Sequence, residues 1–124
     1  MLYSLKYNDD MPEGTGGYAK AWFIRIRPKY RDNDDTGILV HEETHVWQFW
    51  TGGLIIHMLR YTWSKSYRLK CEVEAYKEQL KWYPANTELE RYRDMYAGFI
   101  SDPDPVKGYG LTITKEEALR LLNT

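Results

Sequence analysis

The sequence predicts an α+β domain that is mainly helical, with a small sheet near the N-terminus and a central helix that carries the stretch HEETH. Apolar residues recur at helical spacing through most of the chain after residue 36. One earlier stretch, YAKAWFIRIR, is rich in aromatic and β-branched residues and alternates like a strand. The length of 124 residues suits one ordinary domain with its own core, so we expect a single domain over residues 1–124.

The strand is predicted over residues 18–27, between a turn-rich segment and a proline. The preceding residues 9–17, DDMPEGTGG, are rich in Gly, Asp and Pro, and Pro28 ends the strand. Residues 30–35, YRDNDD, are polar and are predicted to form a loop. Alternate side chains should face opposite sides of the strand, with Trp22, Ile24 and Ile26 on one side and Phe23, Arg25 and Arg27 on the other.

The central helix is predicted to start after a cap at Asp35 or Thr36 and to stop at Gly52 and Gly53. Projected at about 100° per residue, its apolar side chains spread around nearly the whole circumference, which predicts burial on most sides. These side chains are Ile38, Leu39, Val40, Val46, Trp47, Phe49 and Trp50.

Further helices are predicted in the second half of the chain. A helical stretch begins at LIIHML, has a break at residues 64–66 and ends before Pro84. Another covers residues 87–100, and a last helix follows the loop SDPDPVKGYG and a short extended piece. Two capping pairs are predicted at the starts of the last two helices, Thr87 with Glu90 and Thr114 with Glu117.

The composition narrows the class of function. Seventeen basic and 18 acidic residues give a formal net charge of −1, and the short basic run at 25–31 leads directly into an Asp-rich stretch. The single cysteine, Cys71, excludes an internal disulfide and a multi-thiolate metal site. No segment has the apolar core of a signal peptide or the roughly 18 apolar residues of a membrane span. We therefore expect no nucleic-acid or membrane partner and a cytoplasmic location, with association with virions as the open alternative.

The stretch HEETH has the spacing of a zinc site. His41 and His45 are four residues apart, so in a helix their imidazoles lie side by side on one face and can reach one tetrahedral ion. Glu42 lies about 100° round the helix from His41, where a carboxylate can take a proton from a metal-bound water without being a ligand. The alternative is a pair of hydrogen-bonded histidines in the core, and burying both imidazoles without partners would be costly.

A catalytic zinc site needs a third protein ligand. The extended pattern H-E-x-x-H-x-x-G-x-x-H is excluded because Gln48 and Thr51 replace its Gly and His. His57 follows an apolar run and is more typical of a structural histidine. In CEVEAY, helical periodicity turns Glu72 towards the core and Glu74 towards the charged, solvated face, so Glu72 is the better candidate. A buried ion pair of Glu72 with an arginine is the alternative.

HEETHVWQ, followed by a turn and a helix with Glu72-x-x-Ala75-Tyr76, resembles the gluzincin branch of the zincin metallopeptidases over about residues 38–80. The small size is similar to compact zincin-like domains of bacteria and their phages. The resemblance implies a minimal zincin-like fold, a Zn²⁺ ion held by His41, His45 and Glu72, Glu42 as general base, and a peptide or protein substrate. Tyr76 stands where many relatives have an Asp that orients a histidine.

Two further points stay open at the level of the sequence. The resemblance places the strand along the substrate cleft, although an ordinary core strand explains residues 18–27 equally well. A donor for the transition-state oxyanion could be Tyr61, Tyr76 or Tyr109, and eleven tyrosines leave the choice undecided. The competing function is a non-catalytic zincin-like interaction or assembly module, and the oligomeric state is not predicted.

Overall fold

Residues 2–106 and 108–124 are described by a computed structural model, in which helices account for 54% of the chain. The predicted α+β, mainly helical class is confirmed. The N-terminal part forms a three-stranded sheet in the order β1-β3-β2, in which β3 pairs with β1 in parallel and with β2 antiparallel. The strands are β1 (Ser4–Tyr7), β2 (Gly17–Lys20) and β3 (Phe23–Ile26).

The prediction of one continuous strand over residues 18–27 is wrong, because this stretch is a hairpin. The chain reverses at Ala21 and Trp22, and Ala21 has a positive φ of 54°. Ile24 and Ile26 are both buried, whereas Trp22, which was predicted on the same side, lies at the turn and is exposed. A two-residue turn leaves the residues on either side alternating, so the pattern alone does not reveal the reversal. Strand β1 was not predicted either, because it exists through its pairing with β3.

The central helix is α2 (Ile38–Thr51), close to the predicted bounds, but its start differs from the prediction. Neither Asp35 nor Thr36 caps it. Instead Asp34 Oδ1 accepts hydrogen bonds from the backbone N–H groups of Thr36 and Gly37, at 3.0 and 2.9 Å. Gly37 has φ +73°, and a side chain there would collide with the ring of Trp82, so this position requires glycine.

The four helices after α2 agree with the prediction in number, but not all of their caps do. The predicted break at residues 64–66 is confirmed, since Ser64 Oγ accepts from the Tyr67 N–H and starts a new helix. The Thr114 cap is also confirmed, but the Thr87 cap is wrong because its helix starts two residues later without a side-chain cap. The predicted loop at 30–35 contains one helical turn. The helices are α1 (Lys29–Asp32), α3 (Ile55–Trp63), α4 (Lys65–Trp82), α5 (Leu89–Ser101) and α6 (Lys115–Leu122).

Helix α2 lies between two apolar clusters. On one side Val46 packs with Ile24 and Ile26 of the sheet. On the other side α2 packs against α4, which belongs to a larger cluster with α5 and α6. The predicted burial of α2 on most sides is wrong for Trp47 and Trp50, which are both exposed. No helix within the described residues is both long and apolar enough to cross a membrane.

The two threonines that were predicted as caps, Thr114 and Thr87, form a matched test of where α6 and α5 begin. Thr114→Ala should lower the free energy of unfolding by about 1 kcal/mol, because it removes the acceptor for the Glu117 N–H at the start of α6. Thr87→Ala should change it by less than about 0.5 kcal/mol, because Thr87 caps no helix. Urea denaturation of the two variants beside the wild type measures both values, and an equal loss in the two would contradict the assigned helix starts.

Candidate metal centre

His41, His45 and Glu72 converge on one point between α2 and α4. His41 Nε2 and His45 Nε2 lie 3.1 Å apart. Glu72 Oε2 lies 3.1 Å from His45 Nε2, and Glu72 Oε1 lies 3.3 Å from His41 Nε2. Within residues 2–106 and 108–124 these three side chains form the one group of His, Cys, Asp and Glu whose ligand atoms could hold a metal ion. The structure therefore brings together the three residues that were predicted as ligands.

The spacing of these atoms fits a small tetrahedral ion. Bonds of about 2.0–2.1 Å to zinc place neighbouring ligand atoms about 3.3–3.4 Å apart. The separations of 3.1 to 3.3 Å among the two imidazole nitrogens and the carboxylate oxygens differ from this by a few tenths of an ångström. Small rotations of the side chains are enough to complete such a site.

Two glutamines fix the tautomers of the histidines. Gln79 Oε1 lies 2.9 Å from His41 Nδ1, and Gln48 Oε1 lies 2.9 Å from His45 Nδ1. The amide orientations are determined, because Gln79 Nε2 donates to the Thr36 carbonyl and Gln48 Nε2 donates to the Cys71 carbonyl and to a Glu74 carboxylate oxygen. An amide oxygen only accepts, so each Nδ1 carries the proton. Each neutral imidazole then has its lone pair on Nε2, which is the state that binds a metal.

The outer partners of the histidines come from residues that the sequence analysis did not select. Tyr76 leaves no carboxylate at the position where an Asp is common, and its ring packs edge-on against His41 instead. Gln79 and Gln48 take the role of orienting the imidazoles. A usable signal was present, because Gln48 is three residues after His45 and Gln79 is seven after Glu72, which places each on the required helix face.

The charges at the centre are strongly coupled. Burial raises the pKa of the Glu72 carboxyl, but the adjacent imidazoles of His45 and His41 outweigh burial and hold this pKa well below its usual range. Burial lowers the pKa of His45, but the Glu72 carboxylate outweighs it and raises the pKa to about 9. The carboxylate of Glu72 thus requires a positive charge beside it, which either a proton on His45 or a metal ion supplies.

Glu42 lies beside the ligand cluster and has a free carboxylate oxygen. It is buried, its Oε1 is 3.9 Å from His41 Nε2, and its Oε2 has no hydrogen-bond partner. Burial is the largest cause of a raised pKa at this carboxyl. A buried oxygen without a partner is costly unless water or a ligand reaches it, so this position is suited to accepting a proton from a bound molecule.

The structure distinguishes the three tyrosines that the sequence left open. Tyr61 Oη donates a short hydrogen bond to Glu72 Oε2, and burial, followed by the charge of Glu72, raises the Tyr61 pKa well above its usual value. Tyr76 Oη and Tyr109 Oη are 2.6 Å apart and bond to each other. Tyr61 therefore remains protonated and is bonded to the candidate carboxylate ligand, while the hydroxyls of the other two form a separate pair.

The other candidates considered from the sequence lie outside the cluster. His57 Nδ1 bonds to Tyr67 Oη at 2.7 Å, in agreement with a structural role. Glu74 is half-buried and accepts from Gln48, so its predicted orientation to water is wrong. Burial is the main reason why the pKa of the Cys71 thiol rises to about 11, so the thiol stays protonated. Within the described residues, Glu72 has no arginine partner, so the predicted alternative of a buried ion pair with an arginine is wrong.

A cleft of about 330 Å³ leads to the cluster from one side. Its walls are strand β2 and helix α3, and His45 and Tyr61 are among its lining residues. Strand β2 is at the edge of the sheet, because only β3 pairs with it among the described residues. The cleft is therefore lined by residues of an edge strand on one side and by His45 and Tyr61 on the other.

No known protein family, characterised protein or solved structure matches this chain significantly. The residues themselves therefore provide the basis for assigning a class of site. They define a cluster of two histidines and one glutamate that could bind a metal ion.

The role of Gln79 can be tested through the affinity for added Zn²⁺. Gln79→Leu removes the acceptor from His41 Nδ1 and should weaken binding about 10- to 100-fold, as measured by competition with a chelating dye. Gln79→Glu keeps an acceptor opposite Nδ1 and should bind within a few-fold of the wild type. Equal affinities in Gln79→Leu and the wild type would show that the amide does not orient the histidine.

Proposed function

We propose that the chain is a zinc-dependent hydrolase of the H-E-x-x-H type, a metallopeptidase that cleaves peptide bonds. The observation that carries the proposal is the convergence of His41 Nε2, His45 Nε2 and a Glu72 carboxylate oxygen within 3.3 Å of one another, with both Nδ1 atoms facing amide oxygens. Two imidazoles and one carboxylate are the donor set of many catalytic zinc sites.

The number of donors favours catalysis over a structural role for the metal. Structural zinc sites are closed by four protein ligands, whereas catalytic sites have three and leave one position for water or substrate. Three donors are present within the described residues, and one of them, His45, lines a cleft. A cluster with an open side and a buried carboxylate, Glu42, beside it is the arrangement that hydrolysis needs.

Zinc held by His41, His45 and Glu72 would supply a Lewis acid that activates water near neutral pH and polarises the carbonyl of a scissile bond. Glu42 accepts the proton of the attacking water at its free Oε2 and passes it to the leaving amine. Tyr61 lines the cleft and donates a hydrogen bond to Glu72, so it orients the carboxylate ligand that α4 supplies.

An extended peptide is the substrate shape that the cleft accommodates. Strand β2 has a free edge along the cleft, and a peptide can extend the sheet by hydrogen bonding to that edge. Tyr18, Lys20, Phe49 and Met58 line the same cleft and offer mainly apolar contacts to substrate side chains. Backbone pairing with apolar pockets suits unstructured segments of a protein substrate.

Metal content tests the ligand assignment directly. The wild type, purified and equilibrated with Zn²⁺, should retain about one zinc per chain after gel filtration, and His45→Ala and Glu72→Ala should each retain little, because each leaves only two protein ligands. Elemental analysis measures the stoichiometry, and circular dichroism verifies that the variants are helical. His57→Ala, outside the cluster, is the control and should retain its zinc. Full zinc content in Glu72→Ala would contradict the proposed site.

Glu42→Gln tests the general base. This variant should keep its zinc but hydrolyse a fluorescently labelled unstructured protein about 10²- to 10⁴-fold more slowly, because an amide cannot accept the proton. Glu43→Gln is the matched control, since Glu43 is the next residue, accepts a hydrogen bond from Tyr3 at the surface, and should leave the rate unchanged. If zinc-loaded wild type and Glu42→Gln are equally inactive on all substrates tested, the chain is a non-catalytic module.

A further inference from the structure

Helix α3 has two chemically different faces. Its inward face holds His57 and Tyr61, which bond to Tyr67 and Glu72 respectively. Its outward face carries four large apolar side chains that no other part of the described chain covers. We call this set the α3 stripe, and its members with their exposed fractions are Ile55 at 71%, Ile56 at 61%, Leu59 at 54% and Trp63 at 82%.

The α3 stripe is continuous and has aromatic neighbours. At about 100° per residue its four members lie within about 100° of arc, so they form a single ridge along the helix. On the opposite, inward side of α3, His57 lies 6.3 Å from the buried Phe49 by ring centroids, and Phe49 in turn lies 6.0 Å from the exposed ring of Trp22. Exposed apolar groups that are clustered in this way are typical of a surface that binds something.

The segment of sequence that contains the stripe carries only basic charges. Residues 44–71 contain no Asp or Glu and four basic residues, whereas the rest of the chain holds all 18 acidic residues and 13 basic ones. Arg60 and Lys65 are the exposed basic residues next to the stripe in the sequence, and the Arg60 guanidinium lies over the Tyr67 ring at 4.1 Å. A chain with a net charge of −1 therefore carries two exposed basic side chains beside an apolar ridge.

This combination argues against a second copy of the chain as the occupant. Two α3 stripes packed together would bring Arg60 and Lys65 of both copies into proximity, and residues 44–71 offer no carboxylate to compensate them. A convex ridge of Ile, Leu and Trp flanked by basic side chains fits instead a flat surface that is apolar below and negative above. The interface of an anionic lipid bilayer has this chemistry.

We infer that the α3 stripe docks the chain onto an anionic lipid surface, with Ile56, Leu59 and Trp63 inserted among the acyl chains and Arg60 and Lys65 at the phosphate level. The contact is peripheral, and it agrees with the absence of a membrane-spanning helix among the described residues. The prediction of no membrane partner was based on the near-neutral net charge of the whole chain and on the lack of such a span, and neither describes the local character of this one face. The inference is independent of the metal centre.

Vesicle binding tests the inference. Wild-type chain should co-sediment with vesicles of phosphatidylcholine containing about one-third phosphatidylglycerol, less with pure phosphatidylcholine, and less as salt rises from about 50 to 500 mM. The triple variant Ile56→Gln, Leu59→Gln, Trp63→Gln should bind at least about tenfold more weakly, because it removes the inserted apolar area. Trp63→Phe should still bind but lose most of the blue shift in tryptophan fluorescence that insertion causes.

Two controls make the result specific to α3. Val106→Gln replaces another strongly exposed apolar side chain outside α3 and should bind vesicles like the wild type. Zinc content and circular dichroism of the triple variant should match the wild type, so a failure of vesicle binding is distinguishable from a failure of the metal site. The inference is overturned if the wild type does not bind anionic vesicles, if the triple variant binds equally well, or if the stripe instead supports a concentration-dependent dimer in gel filtration.

Discussion

Two buried amides determine what the two imidazoles of this protein can do. The side-chain oxygens of Gln48 and Gln79 face the Nδ1 atoms of His45 and His41, and their NH₂ groups donate to other acceptors. A flip of either amide would therefore leave a buried donor without a partner. The Nε2 atoms consequently face each other and Glu72. That arrangement needs a cation in its centre, a proton in the simplest case and a metal ion in the proposed function.

The helix pair α2 and α4 makes this arrangement possible. Glu72, Ala75 and Gln79 follow one face of α4 at helical spacing, so one helix supplies both the third ligand and an orienting partner. Ala75 is fully buried between them, and its small side chain allows close approach at this face. The sheet supports α2 on its opposite side through Val46, which fixes the helix that carries both histidines.

Helix α3 connects the centre to the surface. Its inward Tyr61 bonds to Glu72 and its outward stripe is exposed, so one short helix carries both a partner of the carboxylate ligand and the apolar ridge. The same helix and the free edge of β2 form the two walls of the cleft. Access to the centre, orientation of Glu72 and the apolar ridge thus all depend on the position of one nine-residue helix.

Helical periodicity was enough to predict several features of the site before any fold was known. These are the shared face of His41 and His45, the inward side of Glu72 and the break at Ser64, because each depends on residues within one or two turns. Three other features could be seen only in the folded chain: residues 18–27 fold back as a hairpin, Trp47 is exposed, and Gln79 contacts a histidine 38 positions away. These features depend on which elements pack together, and the spacing within one element carries no information about its partner in another.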